Sequence, residues 1–192
     1  LRDYGIDVPV HNYKLYKRAF IHKSYMKRPD IENQQNNIVI VDKPDGCLPL
    51  YTKSNERLEF VGDGVLECIT KYYLYRRFPK ENEGFMTDLK KEIVCNETLG
   101  QLSQIIGLDQ FYIISRHNED VCNGRTNLKK LGDILEAFLG ALWTESNYDF
   151  QTISSFVVCL IERYINIPKL LMNNRNYKEQ LQKLYQSKFH YT

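Results

Sequence analysis

Two pairs of acidic residues stand at helical spacing, each within an otherwise apolar stretch. Glu59 and Asp63 are four residues apart, and Asp133 and Glu136 are three apart. Each pair therefore shares one face of a helix. A carboxylate that is buried without a partner on an apolar helix is costly, so both pairs need compensating positive charge.

Two sources of that charge remain open. In the first, each acid pairs with a neighbouring cation; the candidates are Arg57, Lys129 and Lys130. In the second, the four acids share a bound metal ion, which two such pairs in one small chain favour. Ligands that are all oxygen indicate Mg²⁺ or Mn²⁺ rather than zinc or copper. No His lies three residues after these acids, which argues against a di-iron site.

Gly62 and Gly64 flank Asp63 inside the predicted helix. Each glycine costs about 1 kcal/mol relative to Ala in a helix, so an ordinary helix would avoid them. They predict either a close crossing of two helices or the close approach of another backbone, such as a nucleic-acid strand, to the metal.

The elements that must position these acids are predicted to be helices, because apolar residues recur at helical spacing and alternating patterns are almost absent. Residues 31–53 differ: two short apolar runs surround a Pro-Asp-Gly turn and predict either a β-hairpin or a loop. Residues 115–127 are predicted to be a polar loop, and Pro168 with 173–176 a linker. The fold class is all-α, and the predicted helices cover 13–25, 56–77, 84–94, 96–107, 128–144, 150–165 and a last segment from 177.

Composition limits the remaining classes. The chain has 192 residues, 43% of them hydrophobic and 26% charged, which suits one globular domain. No apolar run is long enough to span a membrane, so no membrane partner is expected. Five scattered cysteines without a CxxC pair argue against disulfides and zinc and predict an intracellular protein, cytoplasmic or nuclear.

Residues 55–66, Asn-Glu-Arg-Leu-Glu-Phe-Val-Gly-Asp-Gly-Val-Leu, strongly resemble the signature segment of the ribonuclease III family. Residues 20–25, 84–99 and 128–137 resemble further motifs of that family, in the same order. The resemblance implies a helical endonuclease domain over 1–168, with the stretch 31–53 as an insertion. Gly64 replaces the usual Ser of the signature.

The resemblance implies a divalent-metal-dependent endoribonuclease that makes staggered cuts in double-stranded RNA and leaves 5′-phosphate and 3′-hydroxyl ends. Glu59, Asp63, Asp133 and Glu136 are then the metal ligands, with Asp63 and Glu136 as the catalytic residues. Mg²⁺ is the expected cofactor, and Mn²⁺ is expected to substitute for it. The family acts as a homodimer, in which Phe60 matches a residue that inserts into the partner subunit; the alternative for Phe60 is burial in the core.

An acidic site that meets a polyanion also needs cations, and the candidates for RNA contacts here are Lys129, Lys130 and Arg125. Residues 176–186 resemble the opening helix of a double-stranded-RNA-binding domain, so 169–192 are predicted to hold a linker and the start of such a domain. Gln182 and Gln186, one turn apart, then become further candidates for RNA contacts. Lys183 stands where that helix commonly has Glu.

Two other functions are alternatives to the nuclease. A catalytically silent double-stranded-RNA-binding or ribosome-assembly relative would usually have lost some of the acids, and all four are present. An all-helical nucleotide pyrophosphatase would lack the ordered signature block and the basic segment 163–192, which has six Lys and Arg residues against one Glu, and both are present.

Overall fold

The computed structural model describes all residues except 1, 5, 7, 8, 38, 40, 41, 173–187 and 189–192. The described part is built from helices, as the all-α prediction requires. Short 3-10 helices cover Arg2–Tyr4, Lys23–Tyr25 and Leu108–Phe111. The α-helices are α1 Tyr13–Ala19, α2 Asp30–Gln35, α3 Glu56–Arg77, α4 Glu83–Ile93, α5 Asn96–Ile105, α6 Arg116–Asp120, α7 Leu128–Glu145, α8 Phe150–Tyr164 and α9 Ile167–Met172.

The centre of the fold is α7, which packs against α3, α5 and α1. Ten residues of this helix are buried, mostly Leu, Ile, Ala and Phe. Burying each large aliphatic side chain contributes about 1.5–3 kcal/mol relative to exposure, so α7 is held firmly in the core. The Asn127 side chain accepts a hydrogen bond from the Lys130 backbone N–H at 3.2 Å and caps the start of the helix.

The first helix is shorter than predicted, because α1 ends at Ala19 and not near residue 25. Beyond it, backbone groups turn to distant partners: His22 N–H donates to Ile113 O at 3.0 Å, and Asn55 N–H donates to Ile21 O at 2.8 Å. These long-range bonds replace the helical bonds that apolar spacing alone suggested. They also tie residues 20–25 to the start of α3.

The insertion near 31–53 is a loop that carries a short helix, α2, and its described residues contain no strand. Its neck is closed by two backbone hydrogen bonds, Lys27 N–H to Tyr51 O at 2.8 Å and Tyr51 N–H to Tyr25 O at 3.1 Å. The Tyr25 hydroxyl adds a bond to Leu48 O at 2.8 Å. The hairpin alternative is therefore wrong for the described residues.

Two predicted loops contain short helices. The polar segment 115–127 includes α6, capped by the Ser115 side chain. Pro168 lies in the first turn of α9 and not in a linker, a position where proline costs no helical hydrogen bond. The predicted RNA-binding helix from 177, with Gln182, Lys183 and Gln186, lies outside the described residues.

Candidate active site

Three of the four predicted acids form a compact group between α3 and α7. Carboxylate oxygens of Glu59, Asp133 and Glu136 all lie within 4.8 Å of one another, and the three residues are partly buried. Asp63 lies one turn after Glu59 on α3, but it is exposed and does not belong to this tight group. Its charge nevertheless acts on Glu136. Helical spacing thus predicted the pairing of Asp133 with Glu136, while Asp63 lies at the solvent rim outside the group of three.

A reciprocal glycine contact brings the two acidic helices together. A Cβ on Gly62 would overlap the Glu136 backbone carbonyl, and a Cβ on Gly140 would overlap the Leu58 carbonyl. The backbones of α3 and α7 therefore touch beside the acids, which sets the separation of Glu59 from Glu136. The predicted close crossing is confirmed for Gly62. A Cβ on Gly64 would meet nothing within 4 Å, so that glycine serves no contact within the described chain.

Burial raises the pKa values of the three grouped acids, and neighbouring carboxylates add to the rise for Glu136 and Glu59. Burial, followed by the charges of Asp63, Asp133 and Glu59, raises the pKa of Glu136 to about 8. Burial and the neighbouring charges of Asp133 and Glu56 raise the pKa of Glu59 to about 7. Burial also raises the pKa of Asp133, and nearby lysines oppose that rise. The group therefore disfavours its own full ionisation.

No cation among the described residues forms an ion pair with any of the four acids, so the pairing alternative with Arg57, Lys129 or Lys130 is wrong at ion-pair distance. Three converging carboxylates that repel one another provide both the ligands and the electrostatic reason for binding a cation. The donor set contains oxygen alone, without His or Cys, and it fits a hard divalent ion such as Mg²⁺ or Mn²⁺.

The predicted RNA-contacting cations differ in how free they are. Lys129 is exposed and forms no ion pair with any residue that the structure describes. Lys130 donates to the Asn118 side-chain oxygen. The Arg125 guanidinium donates to both Glu119 carboxylate oxygens and, through Nη1, to two backbone carbonyls, those of Asp109 and Tyr112. Arg125 therefore already holds the 109–125 segment together, and Lys129 is the most available of the three.

Sequence reasoning missed one cation at this site. Lys23, which follows His22 in the motif at 20–25, places its Nζ 3.2 Å from Glu56 Oε1, one turn before Glu59 on α3. Its charge opposes the pKa rise of both Glu59 and Asp133. The available signal was its position within that motif, although nothing in the local spacing linked it to α3.

Phe60 lies on the outer side of α3 with 83% of its surface exposed. The core-burial alternative for this residue is therefore wrong. Val61 beside it is 39% exposed, so two apolar neighbours face solvent directly next to Glu59. Within the described chain, nothing covers Phe60.

Comparison with known proteins agrees with this architecture. Residues 56–147 match the model of the Ribonuclease III domain family. The chain is 32% identical over 179 residues to Ribonuclease 3 of Listeria monocytogenes, covering 91% of this chain and 67% of that protein. The chain belongs to the ribonuclease III family. A probable ribonuclease 3 of Acanthamoeba polyphaga mimivirus is 33% identical over 172 residues, which is 90% of this chain.

Solved structures of ribonuclease III proteins share the fold. The nuclease domain of ribonuclease III from Campylobacter jejuni superposes with a TM-score of 0.66 at 25% identity, covering 85% of this chain and 94% of that domain. Dicer from Pichia stipitis gives a TM-score of 0.54 at 26% identity, covering 88% of this chain and 61% of that one. These matches confirm the predicted helical ribonuclease III fold.

The chain is shorter than several of its relatives. It spans 30% of the mimivirus protein and 57% of Ribonuclease 3 from Azobacteroides pseudotrichonymphae. None of the helices in the described part of the chain is both long and apolar enough to cross a membrane.

Proposed function

We propose that this chain is a divalent-metal-dependent endonuclease that hydrolyses phosphodiester bonds of double-stranded RNA. The observation that carries the proposal is the group of three carboxylates from Glu59, Asp133 and Glu136, which converge without an ion-pair partner among the described residues. In a chain of the ribonuclease III family, such a group is best explained as a metal site that serves the reaction.

Glu59, Asp133 and Glu136 would hold the cation directly, with Asp63 contributing from the rim. Mg²⁺ is the expected ion, and Mn²⁺ should substitute because it accepts the same ligands. When bound, the cation supplies a more acidic water and positive charge opposite the phosphate oxygens. A proton on Glu136, held there by a pKa of about 8, must leave before its carboxylate can become a ligand.

Asp63 and Glu136 are the residues that we assign to the chemical step. The Asp63 carboxylate is exposed one turn after Glu59, so it can accept a hydrogen bond from the attacking water and orient it. The contact between α3 and α7 fixes the position of Glu136, so this residue would hold the cation at a fixed place in the site. Attack of water at phosphorus with departure of the 3′ oxygen leaves 5′-phosphate and 3′-hydroxyl ends.

One such site cuts one strand, so staggered cuts on both strands call for two copies of the chain. We propose a homodimer in which Phe60 inserts into the partner subunit. Covering an apolar side chain that is 83% exposed lowers the free energy of the dimer. The open surface at Gly64 allows the partner subunit to approach closely nearby. The Campylobacter jejuni structure is itself described in terms of a region involved in dimer formation.

Among the predicted RNA contacts, Lys129 is the strongest candidate, because the side chains of Lys130 and Arg125 already donate hydrogen bonds within the chain. Phosphate contacts of this kind position a duplex without reading its sequence. The RNA-binding start of a second domain in 169–192, with Gln182 and Gln186, remains part of the proposal.

The alternative is a catalytically silent double-stranded-RNA-binding or ribosome-assembly relative. The convergence of three intact acids favours the nuclease, since a group of mutually repelling carboxylates destabilises a protein that does not bind a metal there. The family assignment also argues against the nucleotide pyrophosphatase.

The test is cleavage of a long, end-labelled RNA duplex by the parent, by Glu136→Gln and by the exposed control Glu81→Gln, in Mg²⁺, Mn²⁺ or Ca²⁺. We expect staggered cuts on both strands in Mg²⁺ and Mn²⁺ for the parent and the control, and none for Glu136→Gln. A duplex that shifts in a gel but stays intact with the parent would identify a binding protein instead.

A further inference from the structure

Lys23 is a cation that the proposed mechanism does not yet use, and its backbone is held in place. It lies in the 3-10 helix Lys23–Tyr25. The residues around it are tied down on both sides: Asn55 N–H donates to Ile21 O at 2.8 Å, and Ser115 N–H donates to Ser24 Oγ at 3.1 Å. A lysine on such a segment presents its charge at a defined place.

That place is the rim of the carboxylate group. Lys23 Nζ lies 3.2 Å from Glu56 Oε1, and the Ser54 hydroxyl donates to the other Glu56 oxygen at 3.0 Å. Glu56 precedes Glu59 by three residues on α3, so the two carboxylates lie on adjacent turns of one side of the helix. The ammonium group therefore stands beside the site while its side chain remains 66% exposed.

Lys129 approaches the same acids from the other helix, at the start of α7. The charges of both lysines act on Glu59 and on Asp133. Two exposed cations on separate elements thus border an acidic group that must accept a polyanion. A phosphate backbone is recognised by cations in that arrangement, because each one offsets repulsion between phosphates and carboxylates.

We propose that Lys23 contacts the phosphate backbone of the RNA strand being cut and exchanges its Glu56 partner for a phosphate oxygen when the duplex binds. The inference rests on the proposed function and adds a residue to its substrate contacts. Exposed ion pairs are weak, so the exchange costs little. Glu56 then acts as a holder that keeps the ammonium at the rim until RNA arrives.

The experiment compares Lys23→Gln with Lys91→Gln, its matched control. Lys91 also forms an exposed ion pair, 3.0 Å from Asp88 Oδ1, with 59% of its side chain exposed, but it lies on α4. Duplex RNA binding is measured in Ca²⁺ over a series of salt concentrations, single-turnover cleavage is measured in Mg²⁺, and thermal unfolding is measured for each variant.

We expect Lys23→Gln to weaken binding about fivefold, as for loss of one solvent-exposed ionic contact, and to lower the salt slope by about one per subunit. Lys91→Gln should match the parent. Glu56→Gln separates the roles: a phosphate contact predicts equal or tighter binding, since a negative charge leaves and Lys23 is freed. A purely structural ion pair predicts that Glu56→Gln and Lys23→Gln weaken binding together, in step with lower thermal stability.

Equal behaviour of Lys23→Gln and Lys91→Gln, or parallel losses for Lys23→Gln and Glu56→Gln, would overturn the inference. Failure of the proposed nuclease has a different signature. A parent that binds duplex but cuts nothing in Mg²⁺ would refute the catalytic proposal, while the binding data would still decide the role of Lys23. A parent that does not bind duplex at all would refute both.

Discussion

The substitution Glu136→Gln should stabilise the metal-free protein at alkaline pH, even though the proposed function predicts that it abolishes cleavage. Burial and the charges of Asp63, Asp133 and Glu59 raise the pKa of Glu136 from 4.5 to about 8. A raised carboxyl pKa means that the folded state holds the proton more tightly than the unfolded state does. Ionisation therefore lowers the free energy of unfolding progressively as pH rises from 4.5, and the loss is complete above about 8.

The size of this stabilisation follows from the difference between the pKa values of Glu136 in the folded and unfolded states. Moving a carboxyl pKa from 4.5 to about 8 corresponds to about 5 kcal/mol at a pH above both values. Glu136 is only partly buried and the neighbouring Glu59 charge acts on it, so screening and coupling reduce the gain to about 1–2 kcal/mol. For a chain of this size, that raises the melting temperature by roughly 2–8 °C at pH 8.5. At pH 5 the parent carboxyl is protonated and the two proteins should melt alike.

The assay is thermal unfolding at one protein concentration in EDTA and in excess Mg²⁺, at pH 5 and pH 8.5, with Glu81→Gln as the exposed control. In EDTA at pH 8.5 the Glu136→Gln variant should melt above the parent. In Mg²⁺ the order should reverse, because the parent gains binding free energy that the variant has largely lost. A variant less stable than the parent in EDTA at pH 8.5 would refute the electrostatic reasoning. It would mean that the carboxylate is stabilised by a partner in the folded protein.

Three further outcomes follow from the same geometry. Gly62→Ala should lower the free energy of unfolding by about 3 kcal/mol through its clash with α7, whereas Gly64→Ala should raise it by up to about 1 kcal/mol. Both are measured by urea unfolding of dilute protein, and equal effects would contradict the contact between α3 and α7. Phe60→Ala should weaken dimerisation at least tenfold in sedimentation equilibrium, and an unchanged dimer would remove its interface role. Mg²⁺ affinity measured by calorimetry should fall between pH 8 and pH 6, as Glu136 and then Glu59 take up protons; a flat profile would argue against these residues as ligands.

The long helices could be predicted from sequence because their signals are local. Apolar residues at helical spacing located α3, α7 and α8 to within a residue or two. The errors arose where backbone groups bond to distant partners. The end of α1 depends on Ile113 and Asn55, which lie far along the chain, so no local pattern could reveal it.

The positions of the acids in the candidate site could be predicted from the sequence, whereas the partners of its cations could not. Spacing placed each acidic pair on one face of a helix, and Gly62 signalled a close crossing that the structure realises against Glu136. The state of the cations depends on tertiary partners: Arg125 is engaged by carbonyls of a preceding segment, and Lys23 reaches α3 from a separate loop. Residue type alone does not distinguish an engaged cation from an available one.

The difference between the acids and the cations of the site has a physical basis. The acids must hold a fixed separation although they repel one another, and the contact between two helix backbones at Gly62 and Gly140 places them on rigid elements. The repulsion is tolerated because the buried face of α7 contributes far more to stability than the acids subtract. Under the proposed function, Lys23 and Lys129 meet the opposite requirement, since an RNA duplex has to bind and then be released. Exposed side chains at a short turn and at a helix start suit that purpose, because they can exchange partners while the backbone beneath them stays fixed.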